Sequence, residues 1–220
     1  MDIALIFDMD GLLIDSEPLW CQAEVEIFNG LGVPLTTELS KRTKGLRQDE
    51  VVQYWYSRFP WTGISLTEVE ELVISRMEQL IATVAQPMPG ALETIRLCKG
   101  MNLPLGLASS SPMSLVKVSL KRLGLENSFD AVHSAEKEEF GKPHPAVYLK
   151  TAQYLGVPPT KCVAFEDSLP GLISAKAARM RCIVVSDPEE RDDTRFALTD
   201  RMLNSLEEIH FSFLEEFLKE

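Results

Sequence analysis

Residues 3–11 have the sequence Ile-Ala-Leu-Ile-Phe-Asp-Met-Asp-Gly, and this stretch decides the fold. It begins with five apolar residues, and an uninterrupted apolar run of this length is typical of a parallel strand buried on both faces. Two carboxylates, Asp8 and Asp10, follow the run, and Gly11 allows the chain to turn away sharply. The stretch therefore predicts a buried strand that ends in a polar site.

The same order of apolar run and polar residue recurs along the chain. Further strands are predicted at residues 103–108, 131–133, 161–165 and 182–185, and the polar residues that follow them are Ser109, Ser134, Glu166-Asp167 and Ser186-Asp187. Helical patterns lie between most of the strands, at residues 91–99, 113–123, 146–155 and 168–180. This alternation predicts an α/β fold with a doubly wound parallel sheet and helices on both faces.

Residues 16–85 break the alternation. Three helical patterns occur there, at residues 17–31, 49–56 and 66–84, and no strand-like run lies between them. We therefore predict an α/β catalytic core at residues 1–15 and 86–220, with a helical cap at residues 16–85 inserted after strand 1. One or two closing helices are predicted at residues 205–218.

Pairs of acidic side chains follow two of the predicted strands. In open parallel sheets, ligands bind beyond the carboxyl ends of the strands, so Asp8, Asp10, Glu166 and Asp167 should converge on one cleft. Each motif alone is equally consistent with an acidic turn or a helix cap. Four acids in one cleft repel each other without a cation, and carboxylate oxygens suit Mg²⁺, so together they predict a magnesium site.

Two other motifs add groups that bind anions. Ser109 ends a predicted strand just before a helix, where a hydroxyl and backbone N–H groups together can hold an anion. Lys142 lies beside two prolines, Pro143 and Pro145, which present it stiffly. Taken alone, Ser109 is better explained as a turn or N-cap residue, and Lys142 as a surface lysine. Beside four carboxylates, the lysine would pair with them and hold a phosphoryl oxygen.

Four motifs occur in a fixed order, each after a predicted strand: Asp8-x-Asp10-Gly11, Ser109, Lys142-Pro143 and Glu166-Asp167. Over the whole chain this series resembles the haloacid-dehalogenase superfamily of phosphohydrolases. Residues 7–20, FDMDGLLIDSEPLW, look like the sugar-phosphatase branch of that superfamily. The resemblance implies a two-step phosphoryl transfer through an aspartyl phosphate.

The resemblance also assigns roles to these residues. Asp8 would attack phosphorus, and Asp10 would protonate the leaving oxygen and then take a proton from water. Mg²⁺ would be held by Asp8, the backbone carbonyl of Asp10 and Asp167, with Glu166 as a ligand or a neighbour of the ligands. Ser109 and Lys142 would hold the phosphoryl oxygens, and Ser110 is expected to contact the substrate.

The cap is expected to choose the substrate, because residues 43–47 match the family's substrate-facing loop. The residues expected to contact the substrate are Lys44, Gly45, Arg47 and Trp20. The expected substrate is a hexose or hexitol phosphate, 2-deoxyglucose 6-phosphate among them. A phosphomutase of the same family is the alternative, and a non-enzymatic phosphoacceptor of the receiver type is a more distant one. In the related mutase pattern a histidine stands where this chain has Trp20.

Composition limits the partners. With 22 basic and 33 acidic side chains the net charge is -11, which disfavours nucleic acid and anionic membranes as partners. The four cysteines lack metal-ligand spacing and are predicted to be free thiols in a reducing compartment. The N-terminal stretch lacks the basic start of a signal peptide, and no apolar run suits a membrane span. We therefore expect a cytoplasmic monomer.

Overall fold

A computed structural model describes residues 3–185 and 193–219 of the chain. Its centre is a sheet of six parallel strands in the order β3-β2-β1-β4-β5-β6. The strands are β1 (Ala4–Phe7), β2 (Leu105–Ser109), β3 (Ala131–Ser134), β4 (Cys162–Glu166), β5 (Arg181–Val185) and β6 (Arg201–Leu203). The strand order reverses between β1 and β4, as in doubly wound folds, so the predicted fold class is confirmed.

Strand β1 lies in the middle of the sheet and is buried on both faces. Leu5 and Phe7 belong to one hydrophobic cluster, and Ala4 and Ile6 belong to another. Successive side chains of a strand point to opposite faces, so this division places one cluster on each side of the sheet. Phe7 pairs in register with Phe165 of β4, and their rings stack with centroids 4.4 Å apart. The two apolar runs thereby fix which polar residues meet at the strand ends.

Four helices separate β1 from the rest of the core. They are α1 (Glu17–Gly30), α2 (Thr37–Ser40), α3 (Gln48–Arg58) and α4 (Leu66–Val84). Their inner faces enclose a small cluster around Phe28 and Trp55, while Val73 and Met77 of α4 pack against the main core. The helical insertion after β1 is thus present, and only the short helix α2 was not predicted. The domain limits at residues 16 and 85 stay a prediction.

Five more helices flank the sheet: α5 (Ala91–Gly100), α6 (Met113–Leu123), α7 (Ala146–Leu155), α8 (Leu169–Ala177) and α9 (Phe211–Lys219). The predicted helices agree with α5 to α8 to within a few residues at each end. In the predicted closing segment the structure has a 3₁₀ turn at Leu206–Glu208 followed by α9. Strand β6 was not predicted. Ser186 and Asp187, the predicted polar end of β5, lie outside the described residues.

Two expectations concern the chain as a whole. All four cysteines are free, as predicted. Among residues 3–185 and 193–219, the helices are too short or too polar to cross a bilayer.

Candidate active site

The carboxyl ends of β1 and β4 bring three acidic side chains together. The backbone N–H of Asp8 donates to the carbonyl of Phe165 at 3.0 Å, which continues the β1–β4 ladder and places Asp8 beside Glu166. One carboxylate oxygen from each of Asp8, Glu166 and Asp167 lies within 4.8 Å of the others, and all three residues are buried. The predicted convergence of these acids is therefore present in the structure.

Lys142 bridges two of these acids, Asp8 and Glu166. Its Nζ donates to Oδ1 of Asp8 at 2.7 Å, to Oε1 of Glu166 at 2.6 Å and to the carbonyl of Ala108 at 3.1 Å. Only 2% of the lysine is exposed. Burial alone would lower the pKa of Lys142, but the two carboxylates outweigh it and raise the pKa, so the side chain stays charged.

Burial disfavours the charged forms of these acids, and the nearby lysines do not fully compensate for it. Burial raises the pKa of Asp8 despite the neighbouring Lys142. Burial also raises the pKa of Asp167 to about 8, although Nζ of Lys44 lies 3.4 Å from its Oδ2 and acts in the opposite direction. Buried acids of this kind are stabilised in their charged form by a bound cation.

Two glycines let the backbone approach these acids closely. A Cβ at Gly11, where φ is +73°, would lie 2.2 Å from Oδ2 of Asp167. A Cβ at Gly171 would lie 2.0 Å from the carboxyl carbon of Glu166. Any larger residue at either position would displace an acid of the cluster.

Asp10 lies outside this cluster and is held by different groups. Its Oδ1 accepts from the hydroxyl of Ser16 at 2.6 Å and from the indole N–H of Trp20 at 3.3 Å. Its Oδ2 accepts from the hydroxyl of Ser111 at 2.7 Å. Ser16 precedes α1 at the N-cap position, but its hydroxyl donates to Asp10 and makes no cap hydrogen bond. The side chain of Asp10 is thus fixed at a distance from the acids that surround Lys142.

The two serines after β2 differ in their surroundings. Ser109 is fully buried, and its Oγ accepts the backbone N–H of Ser111 at 3.0 Å. Ser110 lines the cavity described below, and its Oγ has no hydrogen-bond partner among residues 3–185 and 193–219. Of the two serines, Ser110 is the one that lines the cavity and has a hydroxyl without a protein partner among the described residues.

A cavity of about 510 Å³ lies above the sheet ends and beneath the inserted helices. Its core side includes Asp8, Asp10, Ser110, Lys142 and Asp167. Its helical side includes residues predicted as substrate contacts and two that were not predicted: Trp20, Lys44, Gly45, Glu24 and Gln48. The volume is typical of pockets that enclose a small molecule.

Arg47 is the predicted substrate contact that the structure places elsewhere. Its guanidinium makes a two-point ion pair with Asp49, at 2.6 and 2.7 Å. The remaining terminal nitrogen donates to the carbonyls of Ala135 and Glu138, at 3.2 and 2.6 Å, and Arg47 does not line the cavity. These bonds occupy the guanidinium, so Arg47 links the inserted helices to the core where a sugar contact was expected.

Three residues near the site were not predicted from the sequence: Tyr148, and Glu24 and Gln48 on the helical side of the cavity, which is called the helical wall below. The hydroxyl of Tyr148 donates to Oε1 of Glu166 at 2.5 Å. Tyr148, Glu24 and Gln48 are each buried on the inward face of a helix. A tyrosine at such a position is an ordinary core residue, so nothing in the sequence was a reason to single it out. A buried glutamate at position 24 of an otherwise apolar face is the one pattern that would have drawn attention.

Comparison with known proteins identifies the class. A model of haloacid dehalogenase-like hydrolases matches residues 4–179. Hexitol phosphatase B of Escherichia coli (strain K12) is 51% identical over 209 residues, which are 94% of each chain. The phosphorylated carbohydrates phosphatase of Thermotoga maritima is 33% identical over 175 residues, 80% of this chain and 81% of the relative. The chain therefore belongs to the haloacid dehalogenase-like hydrolases.

Solved structures agree with this placement. CbbY of Rhodobacter sphaeroides, in complex with phosphate, superposes with a TM-score of 0.85 at 28% identity, over 94% of this chain and 96% of that one. A β-phosphoglucomutase of Clostridium difficile gives a TM-score of 0.87 at 22% identity, over 100% and 98%, which shows the shared fold alone. The relatives and the family together indicate that this chain is a phosphatase.

Proposed function

We propose that the chain is a Mg²⁺-dependent phosphatase that hydrolyses the monophosphate of a hexose or hexitol through an aspartyl phosphate on Asp8. The observation that carries the proposal is the division of labour between two aspartates that line one cavity. Asp8 is held by Lys142 through Oδ1 only, while Asp10 is held separately by Ser16 and Ser111. One carboxylate is thus placed to attack and the other to transfer protons.

Residues of the chain have a role in both steps, the transfer of the phosphoryl group to Asp8 and the hydrolysis of the aspartyl phosphate. Lys142 engages Oδ1 of Asp8, so Oδ2 is the oxygen that would attack phosphorus. Asp10 would protonate the departing sugar oxygen, and as a carboxylate it would then take a proton from the attacking water. Lys142 and the Ser110 hydroxyl would hold phosphoryl oxygens, whose charge must be neutralised in such transfers.

The acidic cluster fits Mg²⁺. Its oxygen ligands, its burial and its excess of negative charge are what a hard divalent cation requires. Asp8 and Asp167 are the carboxylates that would hold the ion, together with the Asp10 carbonyl expected from the resemblance. When bound, Mg²⁺ would neutralise charge on the phosphoryl oxygens.

Glu166 has a different part in this proposal. Its Oε1 accepts from Lys142 and Tyr148, and its Oε2 accepts from the backbone N–H of Asp167 and the hydroxyl of Ser168, both at 3.3 Å. With both oxygens engaged by the protein, Glu166 would position Lys142 and the Asp167 backbone and leave metal contact to the aspartates.

Hydrolysis is favoured over phosphoryl return to a sugar. Trp20 donates a hydrogen bond to Asp10 from the position where the related mutase pattern has a histidine. An indole N–H donates a hydrogen bond but acts as neither an acid nor a base at neutral pH, so Asp10 would not depend on it to activate water. The relative at 51% identity is named a hexitol phosphatase.

We also propose that the protein is a cytoplasmic monomer without nucleic-acid or membrane partners, as the sequence predicts.

Phosphate release from a panel of hexose and hexitol phosphates tests the proposal. Release should require Mg²⁺, should stop in EDTA, and should return when Mg²⁺ is restored. Phosphorus NMR of the products separates the alternatives, because a mutase would accumulate an isomeric sugar phosphate with little free phosphate. If no member of the panel releases phosphate, the proposal is wrong.

A further inference from the structure

Two polar side chains in the helical wall of the cavity are buried without a partner. Glu24 of α1 is 6% exposed, and the groups that act on its carboxyl within the described residues include no hydrogen-bond donor and no basic side chain. Gln48, the first residue of α3, is 4% exposed, and its Nε2 has no hydrogen-bond partner there. Both residues line the same cavity as Asp8 and Asp10.

Folding alone gives no reason for polar groups at these positions. Burying an amide or a carboxyl without a hydrogen bond costs roughly 1–3 kcal/mol, and the great majority of such groups are paired in native proteins. The neighbouring buried positions of α1, Ala23 and Phe28, are apolar. An apolar residue at position 24 would therefore be the more stable choice for an empty cavity wall.

The protonation state of Glu24 suits a hydroxyl partner. Burial, and next the nearby Glu17, raise the pKa of Glu24 to about 8. At neutral pH the carboxyl is therefore mostly protonated, and it then has one donor and several acceptor sites. A sugar hydroxyl likewise donates and accepts, so the two groups are matched.

The two lysines on the helical side of the cavity already have acidic partners. Lys44 pairs with Asp167, and Lys41 lies 3.6 Å from Glu38. A second phosphate on the substrate would bring two negative charges beside the acidic side chain of Glu17, which also lines the cavity. The wall thus suits a neutral polyol better than a second anionic group.

We propose that Glu24 and Gln48 form the subsite that recognises hydroxyl groups on the end of the substrate remote from the phosphate. Gln48 donates from Nε2 to one hydroxyl oxygen, and the carboxyl of Glu24 exchanges hydrogen bonds with a neighbouring hydroxyl. The inference rests on the proposed function, because it assumes that a phosphate ester occupies the cavity. It makes these two residues determinants of specificity for monophosphates of polyols.

The test compares two substrates in each variant. A hexitol phosphate carries the hydroxyl groups, whereas phenyl phosphate offers the same phosphoryl group without them. Glu24→Leu and Gln48→Met should lower kcat/KM for the hexitol phosphate by about 10- to 100-fold, the effect of one lost buried hydrogen bond. Both variants should leave kcat/KM for phenyl phosphate within about threefold of wild type. Glu24→Gln, which keeps donor and acceptor atoms, should lose less than Glu24→Leu.

Melting temperature separates recognition from support of the fold. Glu24→Leu should melt at or above the wild-type temperature, since it removes an unpaired buried carboxyl. Ser119→Ala is the matched control, because Ser119 of α6 is also buried with an unpaired hydroxyl but does not line the cavity. It should leave both kcat/KM values unchanged.

The outcomes distinguish this inference from the proposed function. Equal losses on the two substrates, or no loss on either, would overturn the subsite while wild-type phosphatase activity still upheld the function. A wild-type protein that hydrolysed neither substrate would refute the proposed function itself.

Discussion

Replacing Lys142 with methionine removes the cation from the acidic cluster at nearly constant volume. In the substituted protein, Asp8 and Glu166 would keep their buried positions without the Nζ that now lies 2.7 and 2.6 Å from them. Removing one partner of a buried ion pair costs about 3–5 kcal/mol, because an uncompensated charge remains. A chain of this size loses about 2–4 °C of melting temperature per kcal/mol, so we expect a fall of roughly 6–20 °C.

The matched control is Lys176→Met. Lys176 and Asp200 form an ion pair at 2.7 Å, similar in length to the Lys142 pairs, but each side chain is 30% exposed. Exposed pairs contribute about 0–1 kcal/mol, so this variant should melt within about 4 °C of wild type. The comparison isolates burial, since both substitutions are lysine to methionine and both break a pair with an aspartate.

The loss in Lys142→Met should depend on pH with a definite sign. Burial already raises the pKa of Asp8, and without the lysine that pKa would rise further above its value in the unfolded chain. The folded variant then binds protons that the unfolded chain has released, so its deficit is largest near pH 8 and shrinks toward pH 5. Thermal unfolding followed by circular dichroism in EDTA at pH 5, 6.5 and 8 measures this trend.

Activity gives the second reading of the same variant. A preorganised donor on an oxygen that gains charge is worth about 100- to 1000-fold in kcat, so Lys142→Met should lose at least that much. A variant that melted within 2 °C of wild type at pH 8, or that kept kcat within about tenfold, would refute the reasoning that Lys142 both stabilises and activates this cluster.

Three further perturbations have defined outcomes. Asp8→Asn should abolish turnover while leaving the melting temperature near that of wild type, and kcat within about tenfold would exclude Asp8 as the nucleophile. Mg²⁺ should raise the melting temperature more at pH 8 than at pH 6, because burial raises the pKa of Asp167 to about 8 and Mg²⁺ must displace the proton that this carboxyl holds at lower pH. Calorimetry should therefore detect proton release when Mg²⁺ binds. Arg47→Ala should cost about 1–3 kcal/mol of stability and raise KM equally for a hexitol phosphate and phenyl phosphate; a rise for the hexitol phosphate alone would show that Arg47 contacts the sugar.

The strands that position the site were predictable because they are buried on both faces. β1, β2 and β4 are continuous apolar runs, and the polar residue after each run marks the strand end. β6 was missed because it has three residues, of which only Leu203 is buried, so neither a run nor an alternation is visible. Helix α2 is a single turn of four residues and is too short to show a period.

The acids and Lys142 were predictable for a related reason, whereas the partners of Asp10 were not. Parallel strands bring their carboxyl ends to one edge, so residues that follow different strands must meet there. The hydroxyls of Ser16 and Ser111 hold Asp10, yet a serine before a helix or in a turn is common whether or not it has such a role. Only the three-dimensional distances distinguish these two serines from ordinary caps.

Adjacent residues at the start of α3 show where sequence reasoning stops. Arg47 is a cation in an acidic chain and therefore looked like a substrate contact, whereas Gln48 is neutral and drew no attention. Arg47 precedes the helix with extended backbone angles, φ -71° and ψ 144°, and its side chain is engaged by Asp49 and by the core. Gln48 begins the helix and lines the cavity, and its Nε2 is buried without a hydrogen-bond partner among the described residues. Charge is visible in a sequence, but an unsatisfied buried donor exists only relative to its neighbours, so residues that select a neutral polyol are found only once the fold is known.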